Sequence, residues 1–432
     1  MNKNKYLPLA IAAALGSLSS TTVNAAGFQL AEYSATGLGR AYAGEAAMAD
    51  NAAAQFRNPA MLTYLSGTQV STGMIYVDPN VDVDGMITTT GEATSSKDFA
   101  DSAVVPNFYL SHQLNDKVYL GLALSSNFGM HTKLDDSFRG TQFGNEASVM
   151  TMEINPNIAY LINEKFSVGG GVRLVLGEGS IGAKSSGKLT NGMTLKYMEG
   201  DDTSFGWQAG AAWQINEDNR IGFNYRSEVD LNLEGHAKGL AFNLYSGNKN
   251  IFNMVNYGGS MELTLPATAE IASFHQLTDK LAVHASVNWT DWSTFEKLEA
   301  NIPSLKVPTQ LVKQENWEDN YRFAVGATYS VNEKVEFRTG VAYDTSAVSD
   351  ANRTITIPET DRLWFSVGAG YQYSKNLTLD TGITYVHAKD ANVQEPRPGI
   401  DSDNASVPFG GPFKGQTTGN VWLAGVQATY RF

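Results

Sequence analysis

From Gly67 onward, apolar side chains recur at every second position. Phe205, Trp207, Ala209, Ala211, Trp213 and Ile215 alternate with Gly206, Gln208, Gly210, Ala212 and Gln214. Ile221, Phe223 and Tyr225 alternate with Arg220, Gly222, Asn224 and Arg226. The same rhythm returns at 118–124, 281–289, 321–329, 335–343 and 363–373. A period of two puts the two parities on opposite faces of a strand. In most of these runs the apolar parity is aliphatic in the middle and aromatic toward the ends, and the other parity carries Arg, Glu, Asn, Gln and Gly. That is the lipid-facing band, with its aromatic girdles, of a transmembrane β-barrel. A β-sandwich also alternates, but has no reason to place aromatics at both ends of each strand. The final stretch, Asn420 to Phe432, has the same alternation and ends on an aromatic residue. An apolar edge strand invites aggregation unless both of its sides are paired, and closing the sheet into a barrel pairs them.

The connections set the number of strands. Short polar turns fall at Asn115-Asp116, Asn163-Glu164, Asn216 to Asn219, Thr278-Asp279, Asn332-Glu333 and Lys375-Asn376, six in all. Seven long connections lie between them, at about 79–100, 128–147, 183–202, 236–257, 296–318, 345–361 and 390–418. Thirteen joints require fourteen antiparallel strands over residues 67–432. Strict alternation of short and long joints places both chain ends on the short-turn side, the periplasm of a Gram-negative cell. Multi-pass insertion in the outer membrane follows, in contact with outer-membrane lipid and as a monomer.

Residues 26–66 break the rhythm. Arg40 to Phe56 is alanine-rich without alternation and reads as short helix. Asn58-Pro59 ends it, because proline removes a donor and pushes the preceding residue into extended backbone. The segment is too short to bury a core of its own, so the lumen of the barrel is its natural place. Ahead of it, Lys3 and Lys5, an apolar run from Tyr6 to Leu18 and Val23-Asn24-Ala25 have the plan of a signal peptide cleaved after residue 25.

Composition narrows the function classes. The chain has no cysteine, which excludes thiol catalysis, cysteine-ligated metal and disulfides. Its net charge of −13 disfavours nucleic acid as a partner. The six histidines are scattered without metal-ligand spacing, and no G-x-S-x-G elbow occurs. Gly177-Glu178-Gly179-Ser180-Ile181-Gly182 matches G-x-G-x-x-G but precedes no helix, so its amides have no phosphate to converge on. Neither an enzyme nor a cofactor is expected. The greasiest loops are the fourth, with Leu240, Phe242, Leu244, Tyr245, Ile251, Phe252 and Met254, and the third, with Met193 and Leu195. They carry more apolar area than a solvated loop needs, enough either for self-packed caps or for a ligand groove.

The mature start Ala26-Gly27-Phe28-Gln29-Leu30, then Gly37-Leu38-Gly39-Arg40-Ala41 and Arg57-Asn58-Pro59-Ala60, closely resembles the FadL-type long-chain fatty acid transporters of Gram-negative outer membranes. Ser126-Asn127-Phe128-Gly129 and the stretch from Asn352-Arg353 through Pro358 to Trp364 extend the likeness over essentially the whole mature chain. The resemblance implies a fourteen-stranded barrel plugged by an N-terminal hatch. It further implies passive uptake: a fatty acid binds an apolar loop groove, passes to a pocket near the hatch, and leaves sideways at a wall kink. On this reading Asn58, Pro59 and Ala60 form the hatch motif, Phe28 is the mobile gating residue, and Asn127, Phe128 and Gly129 mark the kink. Lys313, Arg322, Arg226 and Arg338 are the cations available to a carboxylate head group. Relatives that carry monoaromatic hydrocarbons keep other hydrophobic compounds open as substrates, and a non-specific porin is the remaining alternative.

Overall fold

The last strand, Phe413–Arg431, lies between the penultimate strand and the first, and pairs with both along most of its length. Its register with the first strand, Thr68–Ile87, runs from Gln69 opposite Arg431 to Ile87 opposite Phe413. This pairing closes the wall. The computed structural model describes residues 27–247, 254–401 and 407–432. Their strand segments form one antiparallel sheet that closes as fourteen wall strands, the number read from the turns. The proposed signal peptide, and Ile251 and Phe252 of the fourth loop, lie outside the described residues.

The two parities behave as the pattern requires. Val172, Ile271, Val325, Val367 and Ile383 point outward and are exposed, while their alternates face a filled lumen. Outward aromatics pair along the wall: Phe166 stacks on Trp213, and Tyr385 packs on Trp422. No helix among the described residues is long and apolar enough to cross a membrane; this chain crosses with strands.

The lumen is filled by residues 28–65. The short helix expected over Arg40 to Phe56 is broken into single turns. Short turns replace it: Ala35–Leu38 and Ala54–Arg57 are α-helical, and Glu45–Ala47 and Pro59–Tyr64 are 3-10. The backbone turns left-handed at Ala41, Tyr42 and Gly44, which no α-helix tolerates, because the segment bends to follow the curved inside of the wall. Its alanines serve close approach rather than helix propensity. A Cβ on Gly222 of the wall would lie 1.8 Å from the Ala46 carbonyl oxygen, and one on Gly340 would lie 2.1 Å from that of Arg40. Hatch backbone therefore rests directly on wall backbone, where any side chain would collide.

The third wall strand is interrupted. It runs as Val118–Ser125 and resumes as Gly129–Lys133. The second strand, Ala103–Gln113, pairs with it only from Gln113 opposite Tyr119 up to Phe108 opposite Leu124. Above that point 103–107 keep partners in the first strand alone, and the rim closes again at the Ala100–Thr132 bridge. This leaves a window in the ladder. The seventh strand is also bent, between Asn219–Arg226 and Val229–Lys238. Its upper part and the segment Tyr257–Leu265 lean over the lumen with Val229, Leu231, Leu233, Leu263 and Leu265 buried. The G-x-G-x-x-G glycines make room for them: a Cβ on Gly177 would meet Leu231 at 2.5 Å, and one on Gly179 would meet Leu233 at 3.0 Å.

Candidate functional site

The geometry of Asn58-Pro59-Ala60 follows from proline. Pro59 forces Asn58 into extended backbone, at φ −150 and ψ 106, and sits at the start of the 3-10 helix where its missing N–H costs nothing. The Asn58 side chain then caps that helix by accepting from Ala60 N at 3.0 Å. Its amide nitrogen donates to the Ala46 carbonyl at 2.6 Å and to Ala211 of the wall at 3.1 Å. One fully buried side chain thus ties two hatch turns to the sixth wall strand. Ala60 packs opposite Gly169, where a Cβ would meet its nitrogen at 2.6 Å.

Three of the four candidate cations are structural. Arg226 pairs with Glu153 at 2.5 Å, beside Arg173, and donates to the Phe56 carbonyl at 2.6 Å. Arg322 makes a two-bond contact with Asp344, at 2.9 and 3.0 Å, and reaches the Ala41 carbonyl at 3.0 Å. Arg338 pairs with Asp380 at 2.7 Å and with Glu336 at 2.9 Å. Each is buried and spends its charge on a wall carboxylate. The two that also donate to hatch carbonyls are hatch anchors. Lys313 lies elsewhere, in the loops, paired with Glu395 at 3.2 Å.

Above the hatch the chain runs as a short strand. Leu30 N donates to the Asn127 carbonyl and Gly129 N to the Phe28 carbonyl, both at 2.8 Å, so Gln29 faces Phe128 in an antiparallel bridge. The N-terminal segment thus pairs with the third wall strand where that strand leaves the wall. Thr151 of the fourth strand holds the other side of Phe128, through its N–H and its carbonyl. The Phe28 ring is caged by Trp292 at 4.6 Å, Phe295 at 5.7 Å, and Phe128 and Trp317 both at 6.0 Å. The edge-to-face contacts with Trp292 and Phe295 add to the area the rings bury. The alternation reading missed Trp292, Phe295 and Trp317, because they sit in irregular loop segments without a period. Their one signal was aromatic side chains in otherwise polar stretches.

Two buried carboxyls flank the segment. Burial raises Glu32 to about 7, against the pull of its own and Ala31's backbone N–H and of Arg322 and Arg362. Burial also raises Glu359 to about 7, although Arg362 contacts it and the Gly27 backbone donates to it.

The loops also form a cavity of about 380 Å³, lined by Leu195, Met198, Leu240, Leu244, Tyr245, Leu311 and Val312, with Lys313 and Glu395 among its polar groups. Phe242 lies beneath, buried with Tyr257, Ile302 and Leu305. Met193 packs on the buried pair Leu195 and Leu240, and Met254 is exposed. The third, fourth and fifth loops share these clusters rather than each packing its own.

Residues 16–432 match the family model described as outer membrane protein transport protein (OMPP1/FadL/TodX). The long-chain fatty acid transport protein of Escherichia coli K12 is 32% identical, with 100% of this chain and 99% of that protein covered. The 47 kDa outer membrane protein of Pasteurella multocida is 36% identical, with 99% of each covered. Among solved structures, a Pseudomonas aeruginosa FadL homologue superposes with a TM-score of 0.82 at 24% identity, covering 94% of this chain and 100% of that one. The toluene transporter TbuX of Ralstonia pickettii superposes at 0.64 with 17% identity, covering 93% and 98%. The shared architecture and the full-length identity have one reading: this chain belongs to the OMPP1/FadL/TodX family of outer-membrane transport proteins.

Proposed function

We propose that the protein takes up long-chain fatty acids passively across the outer membrane, by a gate made of the N-terminal strand. Signal-peptide removal after residue 25 leaves that strand at the start of the mature chain, and both termini face the periplasm. The observation that carries the reading is the double engagement of Gly27 to Leu30. One side of this segment bridges Phe128 at the wall window, and its Phe28 ring fills an aromatic cage. A substrate that takes the cage displaces Phe28 and loosens the bridge at the same time. Leu30 shares a buried cluster with Ile75, Val77, Ala103 and Val105, so its withdrawal opens the window edge from within. The loop cavity is the capture site. A fatty acid gains about 0.8 kcal/mol per methylene on leaving water, so capture needs no device and release does.

The relatives named for fatty acid transport support this substrate over others, and the toluene transporter among the structural neighbours supports hydrophobic compounds as the broader class. The test uses the absence of native cysteine. Gln29→Cys with Phe128→Cys places two thiols at a non-hydrogen-bonded antiparallel pair, about 4.5 Å between Cα atoms, which suits a disulfide. Oxidised cells should take up oleate no faster than cells without the protein, and reductant should restore uptake. Equal uptake in both states removes the gate.

A further inference from the structure

A carboxylate substrate needs a partner for its head group, and each of the four wall and loop cations expected to supply one is paired already, with Glu153, Asp344, Asp380 or Glu395. The cage offers something different. Trp292 is fully buried, and its indole N–H has no hydrogen-bond acceptor among the described residues. Such a donor is costly to leave unmade. The edge that carries it faces the gate: a Cβ on Gly27 would lie 2.5 Å from Trp292 Cζ2 and 2.8 Å from Cε2, the carbon that bears the nitrogen. Withdrawal of Gly27 and Phe28 uncovers this donor together with the cage.

Two buried acids border the cage, each with cations beside it. Trp317 donates to the buried Glu315 at 3.1 Å, and Lys313 and Arg397 also act on that carboxylate. Glu359 accepts from Gly27 and is contacted by Arg362, with Arg353 and Asp344 in its surroundings. Asp291 precedes Trp292 in the chain, and Asp319 accepts from Ser293 and Trp289. The packed wall of the cage is Val175, Val229, Leu231, Leu263 and Leu265 with the rings. An ionised carboxylate there would lose its hydration and face two buried acids, whereas a neutral carboxyl or ester needs one donor for its carbonyl oxygen.

We propose that the cage takes the substrate head group uncharged, with the carbonyl oxygen of a protonated fatty acid accepting from Trp292 Nε1–H. The assignment makes Trp292 the head-group residue and rests on Phe28 vacating the cage.

Purified full-length protein in detergent micelles is the test, with oleic acid, methyl oleate and hexadecane as probes and each affinity corrected for partition into micelles. At about pH 8, where free carboxyls are ionised, methyl oleate should bind at least as tightly as oleate. Trp292→Phe should weaken the ester about fivefold, the value of one neutral hydrogen bond, and leave hexadecane unchanged. Oleate binding more tightly than its ester, or an ester indifferent to Trp292→Phe, overturns the proposal. The acid-against-ester comparison on the unmodified protein decides the matter even if the variant does not fold. If the Gln29→Cys, Phe128→Cys lock stops uptake while the ester comparison fails, head-group recognition falls and the gate stands. If the lock has no effect, the gate itself falls.

Discussion

The hatch and the strand that precedes it are continuous in sequence but held by opposite means. From Ala35 to Tyr64 the hatch meets the wall through backbone on glycine, and through arginines aimed at its carbonyls: Arg220 at Ala47, Arg226 at Phe56 and Arg322 at Ala41. Removing any such contact leaves a buried polar group or charge without its partner, and the cost comes at once. Gly27 to Leu30 is held by ring contacts, which a greasy ligand can replace, and by only two bridge hydrogen bonds and a few side-chain partners. A plug seated on wall backbone and a short strand held chiefly by rings therefore sit side by side in one segment, and the boundary between them falls near Glu32 and Tyr33.

The largest way to break this contrast is Gly222→Leu. A side chain there collides with the Ala46 carbonyl, backbone against which nothing flexible can yield, so the variant should lose the folded, heat-modifiable barrel on gels altogether. A mobile hatch would accommodate it. Glu32→Gln is next. Below the unfolded carboxyl value of about 4.5, native and unfolded chains both hold the proton and burial costs nothing extra. Between there and the native value of about 7 the unfolded chain has lost the proton and the native chain has not, so stability falls as pH rises. The glutamine variant should therefore gain up to about 3 kcal/mol over the parent at pH 8 and nothing at pH 4, read as a pH-dependent gap in thermal unfolding. Smallest is Asn58→Ala, which removes the cap and takes the side-chain donor from the Ala46 carbonyl, for about 2 kcal/mol of hatch docking. Proteolysis within residues 45–60 should quicken, while Phe28 stays caged and the N-terminal strand keeps its protection against hydrogen exchange. Loss of that protection along with the hatch would mean the two are one unit.

The wall was legible because alternation is a local property. Leu363 to Tyr373 and the closing strand state their own faces, and polar dipeptides such as Asn332-Glu333 state the turns. The hatch turned out differently from its composition, since Ala41, Tyr42 and Gly44 take the backbone shape the wall imposes, and that information lies in Gly222 and Gly340 far along the chain. The site was half legible. Proline beside Asn58 announced a rigid corner. Arg226 and Arg322, however, looked like free cations because their partners Glu153 and Asp344 lie on other strands and only register brings them together. The cage was hidden for the same reason: Phe28, Phe128, Trp292 and Trp317 converge from four separate stretches.

One consequence concerns assembly. The Ala35 N–H is bonded to the Gln427 side chain, 392 positions away, and Gly425 of the closing strand rests on Ala35 and Leu38. Hatch backbone seated on wall glycines leaves no clearance for threading a plug into a finished cylinder. The hatch must lie in place before the seam between the last strand and the first is zipped. It then acts as a former around which the final strands are laid, and a chain that zips early would trap its own plug outside.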